Sequence, residues 1–129
     1  MIAVDTNVVV RFLVRDDPKQ AARAAELIRD NQIWIPKTVL LETERVLRSL
    51  YGFTRESLVR ALRALAGLET IFLEDEVAVA EALDWFKEGL DFADALHLAS
   101  AGTANQFATF DGKLARQGSR MTTLQRVSL

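Results

Sequence analysis

Short apolar segments alternate with longer amphipathic segments along the chain, and this alternation strongly limits the folds open to it. Five segments are typical of β-strands: residues 2–5, 33–35, 70–73, 107–110 and, as an edge strand, 121–127. Seven segments are typical of helices: residues 6–15, 18–31, 38–50, the stretch that Thr54 caps, 75–87, 92–105 and 111–116. Asp16-Asp17-Pro18 supplies the cap and first turn of the second helix. The predicted apolar faces are Ala22, Ala25, Leu27 and Ile28 in the second helix, Leu40, Leu47 and Leu50 in the third, and Leu58, Leu62 and Leu65 in the fourth. Strands separated by helices are joined by right-handed crossovers, which build a parallel sheet covered by helices. We therefore predict an α/β fold, a three-layer sandwich with a central, mainly parallel sheet flanked by helices.

The composition is that of a globular protein without special stabilising chemistry. Half of the 129 residues are apolar and 26% are charged, and the length suits one domain over residues 1–129. The chain has no cysteine, which excludes a disulfide scaffold, a thiolate zinc site and a cysteine nucleophile. No apolar run is long enough to span a membrane, and the N-terminus lacks the pattern of a signal peptide. We expect a cytoplasmic protein without a membrane partner.

Charge is distributed unevenly. The net charge of −2 argues against a simple polycationic nucleic-acid binder. Residues 45–63, however, carry five arginines and a single acid, Glu56; the arginines are Arg45, Arg48, Arg55, Arg60 and Arg63. Taken singly, each arginine is best interpreted as part of a solvated helix face. Together they form a segment that suits phosphate or carboxylate groups.

Four acids lie where an α/β fold places its functional groups, near the carboxyl ends of strands. Asp5 and Asp111 follow the first and fourth predicted strands, and Glu42 lies one turn into the helix after the second. Asp94 lies in the first turn of a helix that begins at Asp91. Carboxylates without cysteine or histidine ligands suit Mg²⁺ or Mn²⁺. Such ions bind a scissile phosphate and activate water, which predicts phosphodiester hydrolysis.

Each acid also has a structural explanation. Asp91 is foremost a capping residue, and Asp94 could interact with its helix dipole. Glu42 could pair on the surface with Arg45 at i,i+3, and the Asp111-Gly112 pair is typical of a turn. The four acids in one pattern are harder to explain in this way than any acid alone.

The same residues belong to a longer pattern. Its segments are DTNVVVRFL at 5–13, DDP at 16–18, VLLETERVL at 39–47, DFADALH at 91–97 and TFD at 109–111. In this order and spacing, they resemble the motifs of PIN-domain ribonucleases of the VapC toxin type, over residues 1 to about 118. The resemblance implies a PIN-like sandwich and a Mg²⁺- or Mn²⁺-dependent endoribonuclease that is the toxin of a type II toxin–antitoxin pair. It further implies an RNA substrate, a small antitoxin protein and a homodimer.

The resemblance also assigns roles to residues. Asp5, Glu42, Asp94 and Asp111 match the acidic metal-site positions of the family, with Asp5 and Asp94 central and Asp111 the most peripheral. Supporting roles fall on four further residues: Thr6 and Asn7 beside Asp5, Thr109 as an orienting residue, and Asp91 as the frequent extra acid.

Two other functions remain open. In a non-catalytic PIN-like binding module, the acids would serve only as caps and ion pairs. A phosphotransfer enzyme with an aspartate at a strand end needs a cationic partner, for which Lys113 is the one candidate, and Asn7 replaces the second acid of Asp-x-Asp phosphatases. We expect His97 to be structural, and Trp34, Trp85 and the seven phenylalanines to lie mostly in the core.

Overall fold

The computed structural model describes all 129 residues and contains seven helices and five short strands. The chain divides into two compact units, Met1–Glu76 and Val77–Leu129. Unit 1 contains β1 (Ile2–Ala3), α1 (Thr6–Val14), α2 (Pro18–Asp30), β2 (Ile33–Ile35), α3 (Lys37–Tyr51), α4 (Arg55–Ala66) and β3 (Ile71–Leu73). Unit 2 contains α5 (Glu76–Lys87), α6 (Phe92–Ala99), β4 (Gln106–Phe107), α7 (Gly112–Met121) and β5 (Gln125–Arg126); the first residue of α5, Glu76, is the last residue of unit 1.

The strands of unit 1 form a parallel sheet in the order β1-β2-β3. Ile33 pairs with Ile2 on one side and with Ile71 on the other, and Ile33 and Ile35 are fully buried. Trp34 projects from the opposite face, because successive strand residues alternate, and it is 37% exposed. The expectation that Trp34 lies in the core is therefore wrong, and an alternating pattern this short did not reveal which face is covered.

The helices of unit 1 begin and end at recognisable signals. Asp17 caps α2 by accepting a hydrogen bond from Gln20 N, and Pro18 occupies the first turn, as predicted. Thr54 and Ser57 form a reciprocal capping box at the start of α4. The apolar stripe Leu58, Leu62 and Leu65 of α4 is buried as expected.

Two helix faces of unit 1 differ from the prediction. In α2 the buried alanines are Ala21 and Ala24, whereas Ala22 is exposed. In α3 the C-terminal Leu50 is 77% exposed rather than buried. Alanine is weakly apolar, and the last turn of a helix reaches past the core, so local periodicity defines these faces poorly.

Unit 2 is built from three helices and a two-stranded parallel sheet, in which β4 pairs with β5. The rings of Phe86 and Phe92 meet edge to face with centroids 5.6 Å apart. The helix predicted over 92–105 ends at Ala99, because the chain turns soon afterwards at Gly102, whose φ is +64°. The predicted turn over 111–116 continues instead to Met121 as α7.

These elements confirm the predicted α/β class with parallel strands, which hydrogen-bond as one sheet in each unit. The description of residues 1–129 as a single domain stays a prediction beside the two compact units. No helix has both the length and the apolar character needed to cross a membrane.

Candidate active site

Asp5 is the N-cap of α1. Its Oδ1 accepts a hydrogen bond from Val8 N at 3.4 Å, and its side chain is exposed. The strand before it ends at Ala3, so Asp5 is separated from β1 by the buried Val4 rather than ending the strand itself. One long hydrogen bond leaves most of the acceptor capacity of this carboxylate available to a ligand.

Glu42 lies on the second turn of α3 and is held by α1. The hydroxyl of the buried Thr6 donates a hydrogen bond to Glu42 Oε1. Because Thr6 follows Asp5, this bond links the start of α1 to the helix that carries Glu42. Thr6 was predicted to support Asp5; the structure shows that it holds Glu42 instead, since its hydroxyl faces α3 and forms no bond to Asp5.

The predicted surface pair of Glu42 is also present. Arg45 Nη2 lies 3.9 Å from Glu42 Oε2, and both side chains are more than half exposed. An exposed pair at this distance contributes little to stability, so it competes weakly with any ligand of the carboxylate.

Asn7 has surroundings that the sequence did not indicate. Its exposed side chain lines a cavity of about 570 Å³ between α1 and α2, together with Arg11, Gln20 and Arg23. Asn7 forms no hydrogen bond to Asp5 in this structure. Its predicted support of Asp5 stays a prediction.

In unit 2, Asp94 is half-buried in the first turn of α6. Burial raises the pKa of its carboxyl above the ordinary value, and the negative charges of Asp91 and Asp111 raise this pKa further. His97 and Lys113 oppose this rise with smaller effects. Three predicted site residues are therefore close enough to interact electrostatically, and their carboxylates repel one another.

Asp91 and Asp111 both stand at helix N-termini, yet only one of them caps its helix. Asp91 occupies the N-cap position of α6, but its side chain accepts no capping hydrogen bond, so the expectation that it is foremost a cap is wrong. Asp111 Oδ1 accepts hydrogen bonds from Lys113 N at 2.9 Å and Leu114 N at 3.1 Å. Thr109 Oγ1 accepts the Asp111 N–H at 3.0 Å, which fixes the backbone that carries this acid.

The donor set fits a hard divalent cation in its chemistry. All four predicted ligands are carboxylates, and the raised pKa of Asp94 marks a site where a positive charge would relieve repulsion. As the side chains stand, no group of three or more histidine, cysteine, aspartate or glutamate residues is arranged to hold a metal ion. The structure therefore shows the supports and the electrostatics of the acids, and not a formed coordination shell.

Sequence reasoning missed Glu44 altogether. This glutamate is only 2% exposed, and its Oε2 accepts a hydrogen bond from Arg48 Nε at 2.8 Å. The signal was present, because Leu40, Thr43, Glu44 and Leu47 follow the i, i+3, i+4, i+7 spacing of a buried helix face.

One other expectation about a single residue is wrong. Phe110 is 91% exposed beside Asp111, and does not lie in the core. The side chain of His97 is exposed one turn after Asp94, and its structural role stays a prediction. Residue type did not reveal either exposure, because exposure depends on which surfaces the fold leaves uncovered.

Comparison with known families gives one match. The family model described as the PIN domain matches residues 2–119, which is nearly the whole chain. No curated protein and no solved structure gives a significant match.

Proposed function

Because the chain belongs to the PIN-domain family, which is generally a nuclease fold, we propose that it is a metal-dependent endoribonuclease that hydrolyses RNA phosphodiester bonds. The observation that carries the proposal is the electrostatic cluster around Asp94, where burial and two neighbouring carboxylates raise a pKa. Perturbed carboxylates of this kind are concentrated at catalytic and metal sites.

We assign the metal ligands to Asp5, Glu42, Asp94 and Asp111, the four acids of the family pattern. A bound Mg²⁺ or Mn²⁺ would lower the pKa of a water molecule and offset the charge that develops on the scissile phosphate. The support for this assignment is the all-oxygen donor set and the repulsion at Asp94, which a bound cation would relieve.

The residues around the acids orient them. Thr6 holds Oε1 of Glu42, and Oε2 has only the exposed pair with Arg45 at 3.9 Å, which a ligand could displace. The first turn of α7 and the Thr109 hydroxyl hold Asp111 in one orientation, with Oδ1 engaged and Oδ2 available. Fixed carboxylates reduce the entropy that is lost when a ligand binds, which favours a preorganised site.

The biological role that we propose is that of a toxin in a type II toxin–antitoxin pair. The protein would then act in the cytoplasm as a homodimer and be neutralised by a small antitoxin. This part rests on the resemblance of residues 5–18, 39–47, 91–97 and 109–111 to toxins of the VapC type.

RNA cleavage by the purified protein, with and without Mg²⁺ or Mn²⁺, tests the proposal. Asp94→Asn keeps the side-chain volume and removes the charge, and we expect it to reduce cleavage at least about a hundredfold. Glu81→Gln, an exposed acid on α5, is the matched control and should cleave like the wild type. Equal cleavage by wild type and Asp94→Asn would overturn the site assignment and expose a contaminating ribonuclease.

One observation favours a second candidate, phosphotransfer through an aspartate at a strand end, Asp5 or Asp111. Lys113 acts electrostatically on Asp94 together with Asp111, so a cation is present beside these acids. Labelling of the protein by radioactive acetyl phosphate, abolished in Asp5→Asn or Asp111→Asn, would support that reaction. Absence of cleavage, of labelling and of a metal-induced rise in melting temperature would leave the non-catalytic binding module.

A further inference from the structure

Phe110 is the most exposed large apolar residue of the chain. Its side chain is 91% exposed, whereas Phe86 and Phe92 in the same unit are almost fully buried. Single exposed apolar residues are common on protein surfaces, so exposure alone assigns no role. The position of Phe110 is more informative, because it lies between Thr109 and the candidate ligand Asp111.

The backbone on both sides of Phe110 is held in place. Thr109 Oγ1 accepts the Asp111 N–H at 3.0 Å, and Asp111 in turn caps α7 through two hydrogen bonds. An aromatic ring on a fixed backbone loses little conformational freedom when a flat ligand stacks on it. The ring of Phe110 is therefore an exposed planar surface next to a proposed catalytic carboxylate.

Two exposed cations, Lys113 and Arg116, lie in the first turns of α7, which begins directly after Asp111. Lys113 acts electrostatically on Asp94 and so lies close to the acidic cluster. Arg116 Nη1 lies 3.2 Å from the position that a Cβ on Gly112 would occupy, so this guanidinium folds back along the start of α7. Neither side chain forms a salt bridge in the structure.

We propose that Phe110, Lys113 and Arg116 form a binding surface for single-stranded RNA, called here the Phe110 surface. A nucleobase of the substrate stacks on Phe110, and the flanking phosphates contact Lys113 and Arg116. Aromatic rings beside cations bind single strands with little dependence on sequence, because every base has a face that can stack. The proposal rests on the proposed function and adds which part of the chain positions the strand.

Phe110 is a positioning residue, because it holds the RNA strand and does not touch the reacting phosphate. It touches a base, while the reacting phosphate lies at the carboxylates, so its loss should raise KM more than it lowers kcat. A base within a duplex cannot stack on a protein ring, so the Phe110 surface should discriminate against double-stranded RNA.

Binding measured without turnover tests the proposal. The Asp94→Asn protein is titrated in EDTA against a fluorescein-labelled, single-stranded oligoribonucleotide, and fluorescence anisotropy reports Kd. Adding Phe110→Ala should weaken binding about tenfold, whereas Phe110→Tyr should bind normally. Leu50→Ala, which truncates a side chain that is 77% exposed on α3, is the control and should leave Kd unchanged.

The cations are tested in the same assay. Lys113→Ala and Arg116→Ala should each weaken RNA binding. Each should also reduce the slope of log Kd against log salt concentration by about one. Inorganic polyphosphate competes for cations but cannot stack, so its inhibition constant should be unchanged in Phe110→Ala and higher in the two cation variants. Because Phe110 is exposed, its truncation should leave the melting temperature unchanged, which excludes misfolding.

Several results would overturn the proposal: a Kd for Phe110→Ala within twofold of the parent, equal loss of binding in Leu50→Ala, or failure of the parent to bind the oligonucleotide. A change in oligomeric state in Phe110→Ala, with RNA binding intact, would assign the ring to a contact between copies instead. The two proposals fail separately. Metal-dependent cleavage with binding that ignores Phe110 rejects only the Phe110 surface, whereas Phe110-dependent binding without any cleavage rejects only the nuclease.

Discussion

At the scale of single residues, the chain places the negative charge of Asp94 where its surroundings disfavour it. The Asp94 carboxyl is partly removed from water and faces two further acids, Asp91 and Asp111. Nothing in protein folding favours such repulsion, because a neutral residue at this position would be more stable. A cost of this kind is typical of functional sites, where the geometry serves a ligand rather than the fold.

Asp94→Asn should therefore stabilise the metal-free protein and raise its melting temperature at pH 7. The pKa of Asp94 is raised in the folded state, so its charge destabilises the fold above that pKa and has no effect once pH falls below the unfolded value, near 3.9. The gain over wild type should accordingly shrink to zero as pH is lowered through this range. Thermal melts in EDTA between pH 3 and pH 7 measure this difference between Asp94→Asn and the wild type. A lower melting temperature for the variant at pH 7 would indicate that the Asp94 carboxylate has a structural role.

Asp5→Asn is the companion variant. Asn caps helices as well as Asp does, so the hydrogen bond to Val8 N should survive and stability should be nearly unchanged. A large loss of stability in Asp5→Asn would show that the charge of Asp5 itself stabilises α1.

A further residue-scale prediction concerns Asp16, whose pKa is held below its ordinary value by hydrogen bonds. The hydroxyl of Tyr51 donates a hydrogen bond to Asp16 at 2.8 Å and lowers the pKa of this carboxyl, and Arg11 lowers it further. Tyr51→Phe should raise the pKa of Asp16 toward its ordinary value, as measured by NMR titration. It should also destabilise the protein at pH 7, and this difference should fade as pH drops through the folded-state pKa of Asp16. An unchanged titration would contradict the assigned cause.

At the scale of secondary structure elements, close approach rather than propensity explains the packing of α7. A Cβ added to the buried Gly118 would lie 2.7 Å from the ring of Phe107 in β4 and 3.4 Å from Leu98 in α6. Glycine is unfavourable in the interior of a helix, so the presence of Gly118 in α7 reflects the need for space between α7 and its neighbours.

Gly118→Val should destabilise the protein by about 1–3 kcal/mol, because the added Cβ and its two methyl groups must displace a packed ring. Ser119→Val on the exposed face of the same helix is the control for helix propensity and should cost much less. Urea denaturation measures both variants. Combining Gly118→Val with Phe107→Ala should restore part of the loss, and additivity of the two changes would contradict direct contact.

At the scale of the whole molecule, metal binding should couple to stability. A cation that binds only the folded protein contributes about 2.7 kcal/mol when its concentration is 100 times Kd. We expect Mn²⁺ to raise the melting temperature of the wild type and to leave that of an Asp5→Asn, Asp94→Asn double variant unchanged. Equal shifts in both proteins would show that the ion acts elsewhere.

Features that depend on neighbouring residues could be predicted from the sequence. Periodicity, caps and proline placement predicted the α/β class, the starts of α2 and α4 and the buried stripe of α4, because helix formation and capping involve groups within a few positions. The motif pattern likewise pointed to the PIN family before any geometry was known.

Tertiary structure decided what depends on distant parts of the chain. It directed the Thr6 hydroxyl to Glu42 instead of Asp5, left Asp91 without a capping bond and exposed Phe110 beside Asp111. It also raised the pKa of Asp94, first through burial and then through nearby negative charges, one of which, Asp111, is 17 residues away in the sequence. Hydrogen-bond partners, exposure and charge repulsion depend on distances in space. For residues far apart in the sequence, these distances are set only when the chain folds.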